Sequence, residues 1–200
     1  ASPDGTGVLA EELALRHNGS LRARVLHRPS KLGLSSALYD GVRMAEGGWV
    51  ATLDADNSHD IRSLRDMYLA AQDGVEVVIG SRYVEGGRIE RWPLHRKLVS
   101  RGATRIARAV FHLRVHDPMS GFALIHRDAV SRVPPLLNPR TYKFLLELLV
   151  RVQPLKVREV PIVFRNRKNG NSKLSPKEFV EFVRLVASLM RERYLTKATP

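Results

Sequence analysis

Hydrophobic residues follow two different spacings along residues 2–81, and the spacing changes at short turns. Apolar residues three and four positions apart predict helices within residues 2–19, 31–48 and 61–72. Alternating or continuous apolar runs predict strands at residues 21–28, 49–53 and 76–81. Because strands and helices alternate across short connections, we expect an α/β fold with a mostly parallel sheet flanked by helices.

The strand predicted at residues 49–53 ends in an acidic turn. Asp54 and Asp56 lie at its carboxyl end, where α/β sheets bind their ligands. Two carboxylates one residue apart on a turn can both reach one hard divalent cation, with substrate phosphates completing its coordination. The alternative is that acids in this loop cap the following helix, and Asp60 is interpreted as such an N-cap. His59, beside the acids, is interpreted as an ion-pair partner.

Composition narrows the classes of function. Two hundred residues suit one domain, and the chain has no cysteine, so a metal would need oxygen or imidazole ligands. The formal net charge of +13 favours anionic partners. A nucleic-acid partner is disfavoured, because aromatic residues make up 6% of the chain and do not interleave with the basic stretches. Without a membrane-span or signal-peptide pattern, we expect a cytoplasmic protein, peripheral at the cytoplasmic face of a membrane.

A basic segment follows the strand predicted at residues 76–81. It contains Arg82, Arg88, Arg91, Arg96 and Arg101, bracketed by glycines at 80, 86 and 87 that would let the backbone approach a ligand. Arg96 and Ser100 lie four residues apart, on one helical face, so one phosphate could contact both. The alternative is a set of surface arginines paired with Glu85 and Glu90.

A second basic stretch, "FRNRKNGNSKLSP" at residues 164–176, contains glycine and several cations. It suits a loop that closes over an anion. On composition alone, a solvated surface loop is the better explanation.

The order and spacing of these segments resemble the polyprenol (dolichol) phosphate mannosyltransferases, which are inverting family 2 glycosyltransferases with the GT-A (Rossmann-like) fold. The resemblance runs from the first residues to about Ser175. It is carried by these segments: "KLGLSSAL" leading to "GGWVATLDADNSHD", "VVIGSRYVEGG", "WPLHRKLVSRGA", "DPMSGFALIHRDAV", "YKFLLELLVR" and "EVPIVFRNRKNGNSKLS". Each motif alone is weak, but all of them in the correct order are highly specific.

The resemblance implies roles for individual residues on the donor side. Asp54 and Asp56 would hold Mg²⁺ or Mn²⁺ against the diphosphate of GDP-mannose, and Asp56 would be catalytic. Ser58 stands where some members have a metal-contacting Gln and others Ser. Arg167 and Lys173 match the cationic loop that closes over the phosphates.

The resemblance also implies an acceptor site. Arg82, Arg96 and Ser100 match the residues that hold the phosphate of the lipid acceptor, and Arg82 would be catalytic as well. Members of the family also share a motif at the floor of the site, matched here by Asp117, Ser120 and Gly121. The segment at 141–149 keeps Glu147 but has Leu145 where some relatives carry Gln.

Chemical reasoning leads to the same type of reaction. A lipid monophosphate is already anionic near neutral pH, so it needs positioning beside the sugar more than a general base. The leaving nucleoside diphosphate needs its charge neutralised, which a metal can do. This chemistry suits direct in-line displacement with inversion, and the resemblance implies that mannose is transferred from GDP-mannose to a polyprenyl phosphate. UDP-glucose or another nucleotide sugar is the alternative donor, and a non-catalytic basic protein that binds nucleic acid or an acidic membrane is the alternative class.

The C-terminal part of the chain, residues 176–200, is predicted to form an amphipathic helix and tail beyond a catalytic domain at residues 1–175. Its apolar positions at helical spacing are Phe179, Phe182, Val183, Val186 and Met190. This face could pack on the core of the domain or lie in a membrane interface, and both interpretations stay open.

The first residues, "ASPDGTG", resemble the end of a family motif whose leading aspartates are missing here. Members of the family have a strand, a helix and a second strand before this point, and that region binds the nucleotide base and ribose. We therefore expect a catalytic domain that is N-terminally incomplete and that binds GDP-mannose poorly by itself.

Overall fold

The computed structural model describes residues 4–16, 23–30, 32–132, 143–166 and 176–197. Within these residues the chain forms helices and strands in mixed order. The helices are α1 (Thr6–Arg16), α2 (Leu34–Met44), α3 (Ser63–Ala70), α4 (Leu94–Phe111), α5 (Arg127–Ser131), α6 (Phe144–Arg151) and α7 (Pro176–Lys197). The strands are β1 (Trp49–Thr52), β2 (Val77–Ser81), β3 (Arg88–Ile89), β4 (Ala123–His126), β5 (Val157–Pro161) and β6 (Val163–Phe164).

The main sheet has the strand order β1-β4-β2-β5. The α/β class is confirmed, but the sheet is mixed: β2 pairs in parallel with β5, whereas β4 is antiparallel to both β1 and β2. The residue pairing between β1 and β4 shows where the antiparallel strand β4 enters the sheet. Thr52, the last residue of β1, pairs with Ala123, the first residue of β4, so β4 enters the sheet at the edge where β1 ends. The residues just before β4 are thereby placed beside the acidic turn that follows β1.

The core is built on both faces of β2, whose five residues are all buried. Val77 and Ile79 face a cluster that includes α2 and α6, and Val78 faces a second cluster formed largely by α3. This alternation is expected for a strand whose two faces are both covered. Rigid packing around β2 holds Arg82, the next residue in the chain, in a fixed position.

Helix α7 packs on α4 and α6. Phe182, Leu185 and Leu189 are buried in one cluster with Phe111 of α4 and Leu146 of α6. The ion pair between Arg151 of α6 and Glu192 of α7 adds a polar contact, with Nε and Oε2 2.8 Å apart. Of the two interpretations of this helix, packing on the core is therefore observed for one face.

The other face of α7 carries apolar residues that no described part of the chain covers fully. Phe179, Val180 and Val183 are all exposed. Among the helices that the structure describes, none is both long and apolar enough to cross a membrane.

The strand predicted at residues 21–28 is wrong for the part that is described. Residues 23–28 have no regular secondary structure. A strand is stable only with a hydrogen-bonding partner, and no described strand lies beside this segment. The β1 edge opposite β4 likewise has no strand partner within the described residues.

Candidate active site

The acidic turn directly follows β1. Asp56 accepts a hydrogen bond from the backbone N–H of Ser58 through Oδ1 at 3.0 Å, and Asn57 between them has a left-handed φ of 59°. The turn is tied to β6, because the backbone N–H of Arg165 donates to the Ser58 carbonyl at 3.0 Å. These contacts hold Asp54 and Asp56 at the carboxyl edge of the sheet, as the sequence predicts.

His59 is not an ion-pair partner, contrary to the sequence interpretation. It is buried, and its ring lies between Phe122 and Phe164, with centroid distances of 5.3 and 5.1 Å. Its Nδ1 accepts the backbone N–H of Asp54 at 3.3 Å. Burial lowers the pKa of His59 and the charge of Asp54 opposes that effect. The residue therefore fixes the backbone of the acidic turn.

Asp60 also differs slightly from its predicted role. Helix α3 begins only at Ser63, and Asp60 accepts the backbone N–H of Arg62 in the turn before it at 3.1 Å. Hydrogen bonds from Arg62 hold the pKa of Asp60 at about 2. Asp60 is thus an acid committed to a local ion pair with Arg62.

The residues of the acidic turn fit a divalent cation. No cluster of three or more His, Asp or Glu side chains suited to a metal occurs in the described parts of the chain. A two-carboxylate set is nevertheless what Mg²⁺ uses when substrate phosphates and water supply its other ligands. The hydroxyl of Ser58 is buried and, within the described residues, makes no hydrogen bond. An unsatisfied buried hydroxyl beside two carboxylates is consistent with a ligand that completes this turn.

Arg82 is bound by Asp117, a buried residue of the loop before β4. Its Nε donates to Oδ2 at 2.7 Å, its Nη2 donates to Oδ1 at 2.8 Å, and its backbone N–H donates to Oδ2 at 3.0 Å. Burial by itself would lower the pKa of Arg82, but the hydrogen bonds and charge of Asp117 outweigh burial and raise it. Asp117 is held in turn by Glu159, which accepts its backbone N–H at 2.9 Å.

Gly87, Gly121 and Ser120 lie in close contact with the backbone or side chains near Arg82 and Asp54. A Cβ on Gly121 would lie 3.4 Å from Asp54 Oδ2, and a Cβ on Gly87 would lie 2.6 Å from the Ser81 carbonyl. Ser120 donates to the Gly80 carbonyl at 2.7 Å. Gly87 therefore permits the basic loop to fold against its own backbone. The sequence analysis had instead suggested that this glycine lets the backbone approach a ligand.

Arg82, Arg96 and Ser100 are brought together by two aromatic residues that the sequence analysis did not single out. The Arg96 guanidinium lies 3.7 Å from the ring centroid of Trp92. Tyr83 donates its hydroxyl to Ser100 Oγ at 2.8 Å, and its ring lies 5.2 Å from the Arg82 guanidinium. The sequence signal that could have indicated Tyr83 and Trp92 is their position, one and ten residues after Arg82.

A cavity of about 190 Å³ opens beside this group. Its polar lining residues are Arg96, Ser100, Lys143 and Glu178. Its apolar lining residues are Trp92, Val99, Ala103, Met119, Phe179 and Phe182. The lining thus combines cationic and hydroxyl groups that suit an anion with apolar side chains that suit a hydrocarbon.

A second, smaller cavity of about 60 Å³ reaches the acidic turn. It is lined by Asp54, Ser120 and Gly121, and also by Lys143, which lines the first cavity as well. The sequence analysis missed Lys143. A cavity of about 590 Å³ elsewhere, between the ends of α4 and α6 and strand β5, contains none of the predicted site residues.

The remaining predicted residues divide into two groups. Arg167 and Lys173 lie outside the described residues. Glu147 and Leu145 are buried in α6, and Glu147 lies 4.0 Å from Arg151, the residue that pairs with α7. Glu147 accordingly belongs to the packing of α6 and α7.

Comparison with known proteins identifies the family of this chain. Glycosyl transferase family 2 matches residues 1–133. A dolichol-phosphate mannosyltransferase of Pyrococcus furiosus is 38% identical over 192 residues, which are 95% of this chain and 53% of that protein. A polyprenol monophosphomannose synthase of Mycolicibacterium smegmatis is 36% identical over 180 residues, 87% of this chain and 67% of that protein. The chain spans about half to two thirds of the length of these curated relatives.

Solved structures confirm the GT-A fold. Glucosyl-3-phosphoglycerate synthase of Mycobacterium tuberculosis, in complex with Mn²⁺, UDP-glucose and phosphoglyceric acid, superposes with a TM-score of 0.61 at 20% identity. The match covers 96% of this chain and 65% of that chain. A complex of the same enzyme with Mg²⁺ and UDP has a TM-score of 0.60 at 21% identity, over 96% of this chain and 65% of that chain. Together with the family match and the two curated relatives, these results show that the chain belongs to glycosyl transferase family 2.

Proposed function

We propose that this chain carries the catalytic part of a glycosyltransferase that moves mannose from GDP-mannose to a polyprenyl phosphate, with inversion at the sugar. The observation that carries the proposal is the pair of adjoining cavities. One reaches the two-carboxylate turn at Asp54, and the other combines Arg96 and Ser100 with apolar walls. A metal-bound nucleoside diphosphate suits the first, and a phosphate with a hydrocarbon tail suits the second.

The residues of the chain would act mainly by positioning. Arg96 and Ser100 would hold the acceptor phosphate, with Arg96 oriented by its stack on Trp92 and Ser100 by Tyr83. Asp54 and Asp56 would hold Mg²⁺ or Mn²⁺, which supplies charge neutralisation for the leaving diphosphate when it is bound. A phosphate oxygen would then attack the anomeric carbon without a separate general base, because it is already anionic.

Arg82 would contribute differently from Arg96. Two of its five guanidinium N–H groups donate to Asp117, which ties the side chain into the fold of the site. Its remaining nitrogen, Nη1, would be the group that faces a phosphate. The same proposal assigns catalytic roles to Asp56 and Arg82. It also assigns contacts with the donor to Arg167 and Lys173.

The proposal includes a domain division and a location. Residues 1–175 would form the catalytic domain, and residues 176–200 the helix and tail. The exposed apolar face of α7 and the net charge of +13 suit peripheral binding at the cytoplasmic face of an anionic membrane. The acceptor lipid would then enter its cavity from the bilayer.

A direct transfer assay tests the proposal. Radiolabelled GDP-mannose and UDP-glucose are compared as donors, with a polyprenyl phosphate acceptor and Mn²⁺. Mannosyl lipid formed from GDP-mannose is the expected product. Glucosyl lipid would assign the donor to UDP-glucose, and sugar found only on a water-soluble acceptor would reject a polyprenyl phosphate.

A further inference from the structure

Lys143 occupies the junction between the two cavities. It directly precedes α6, and its side chain lines both the cavity that holds Arg96 and Ser100 and the cavity that reaches Asp54. The side chain therefore stands where an acceptor phosphate and a donor diphosphate would come closest together.

The surrounding charges leave the Lys143 ammonium available for an anion. Arg82, the neighbouring cation, is paired with Asp117, whereas the Lys143 ammonium makes no hydrogen bond or ion pair with a side chain of the described residues. Burial lowers the pKa of Lys143, and the charge of Arg82 adds to that effect, while Asp117, Glu178 and Asp54 oppose it. A partly buried cation without an ion-pair partner among the described residues is stabilised by a bound anion.

We propose that the Lys143 ammonium is a bridging ligand that contacts phosphate oxygens of both substrates, and so reduces the repulsion between them. This inference rests on the proposed function for the identity of the two substrates. Two phosphates brought together for in-line transfer repel each other strongly in a buried site, and one cation between them interacts with both. With the Lys143 ammonium between the two phosphates, the second substrate would bind with less repulsion from the first.

Protection of the amine tests the contact without requiring catalysis. The chain is trace-labelled with an amine-acetylating reagent, and modification of each lysine is measured by mass spectrometry. Inorganic phosphate, GDP with Mn²⁺, and a short-chain polyprenyl phosphate are added separately, with chloride at equal ionic strength as the control. We expect each phosphate compound to slow labelling of Lys143 at least threefold, and to leave the exposed Lys156 unchanged.

The two proposals fail in distinguishable ways in this experiment. Protection by inorganic phosphate and GDP but not by the polyprenyl phosphate would retain Lys143 as a phosphate ligand and reject the proposed acceptor. Labelling of Lys143 at the same rate under every condition would overturn the contact itself.

A binding cycle tests the bridge. Affinity for the short-chain polyprenyl phosphate is measured by calorimetry with and without GDP and Mn²⁺, for the unmodified chain, Lys143→Met, Lys143→Arg and the control Lys156→Met. In Lys143→Met we expect GDP with Mn²⁺ to weaken acceptor binding about tenfold more than in the unmodified chain, or roughly 1.4 kcal/mol of coupling. Lys143→Arg should restore most of the coupling. Lys156→Met should give the same coupling as the unmodified chain. If Lys143→Met also gives that coupling, Lys143 does not bridge the substrates.

Discussion

At the scale of single residues, the charges near the site differ in what holds them. Asp117 and Arg82 neutralise each other in a buried, bidentate pair. Asp60 and Arg62 form a more exposed ion pair, with Oδ2 2.6 Å from Nη2. Asp54, Arg96 and Lys143 line the two cavities, and Asp56 lies on the same turn as Asp54, so the predictions for catalysis concern these residues first.

The first prediction concerns Asp56. Asp56→Ala should abolish transfer and reduce Mn²⁺ affinity at least tenfold, because one of two protein carboxylates is lost from the cation site. Mn²⁺ binding is measured by calorimetry in the presence of GDP, and folding by circular dichroism.

The matched control is Asp60→Ala, which removes a carboxylate four residues away that is already paired with Arg62. It should retain Mn²⁺ binding and most activity. Full turnover of the unmodified protein in excess EDTA would contradict the metal requirement.

The second prediction concerns the acceptor phosphate. Ser100→Ala should weaken polyprenyl phosphate binding by about tenfold or more, because a hydrogen bond to a charged group contributes roughly 1.5–3 kcal/mol. Arg82→Ala should also impair use of the lipid phosphate, and neither change should affect GDP binding by more than about threefold. Tyr83→Phe should have a smaller effect than Ser100→Ala, because Tyr83 only positions the serine hydroxyl.

Separate titrations with acceptor and with GDP distinguish these effects. Equal losses of affinity for both substrates would mean that Arg82 and Ser100 had been assigned to the wrong ligand.

The sequence predicted where the candidate residues lie better than it predicted their contacts. Asp54, Asp56, Arg96 and Ser100 could be found because their spacing and their place after a strand or on a helix are visible in the chain. The pairing of Arg82 with Asp117 and the place of Lys143 between two cavities could not, because they depend on segments 35 and 61 residues from Arg82 that meet only in the folded sheet.

At the scale of elements, β4 and α7 determine the shape of the site. Periodicity indicated β1 and β2 correctly, but local sequence does not encode the direction in which a strand enters a sheet. The antiparallel entry of β4 is what places Asp117 and Gly121 beside the acidic turn. The two interpretations of α7 were equally compatible with its sequence; the structure shows packing on the core for one face, and membrane binding by the exposed face stays a prediction.

The third prediction distinguishes the two faces of α7. Leu189→Ala should lower the free energy of unfolding by about 2–5 kcal/mol, as expected for a buried leucine. Val180→Ser combined with Val183→Ser should change it by less than about 1 kcal/mol, because both side chains are exposed. The double variant should instead weaken binding to anionic vesicles roughly tenfold.

Denaturant unfolding and vesicle sedimentation measure these two effects. Val8→Ser, at an exposed position on α1, is the matched control and should leave both unchanged. Undiminished vesicle binding by the double variant would exclude this face of α7 as the membrane contact.

At the scale of the whole molecule, two features set how the chain meets other molecules. The net charge of +13 favours any anionic surface, so vesicle binding should decrease as salt is added. The β1 edge opposite β4 offers backbone hydrogen-bonding groups without a strand partner among the described residues. An open edge beside the acidic turn tends to pair with another chain.

The fourth prediction follows from that edge. The 200-residue chain should self-associate as its concentration rises, because the β1 edge offers backbone hydrogen-bonding groups to a second copy. Analytical ultracentrifugation over a range of protein concentrations measures this. A stable monomer at the highest concentration would oppose the prediction.

The stacking of Arg96 on Trp92 makes the fluorescence of Trp92 a reporter for the proposed acceptor site. The chain has only two tryptophans, and Trp49 packs against His126 with a centroid distance of 5.0 Å. Trp49→Phe would therefore leave a single indole, whose emission is sensitive to the guanidinium 3.7 Å from its ring. An acceptor that draws Arg96 toward its phosphate should change the fluorescence of this variant, so that lipid binding could be followed in real time without a label.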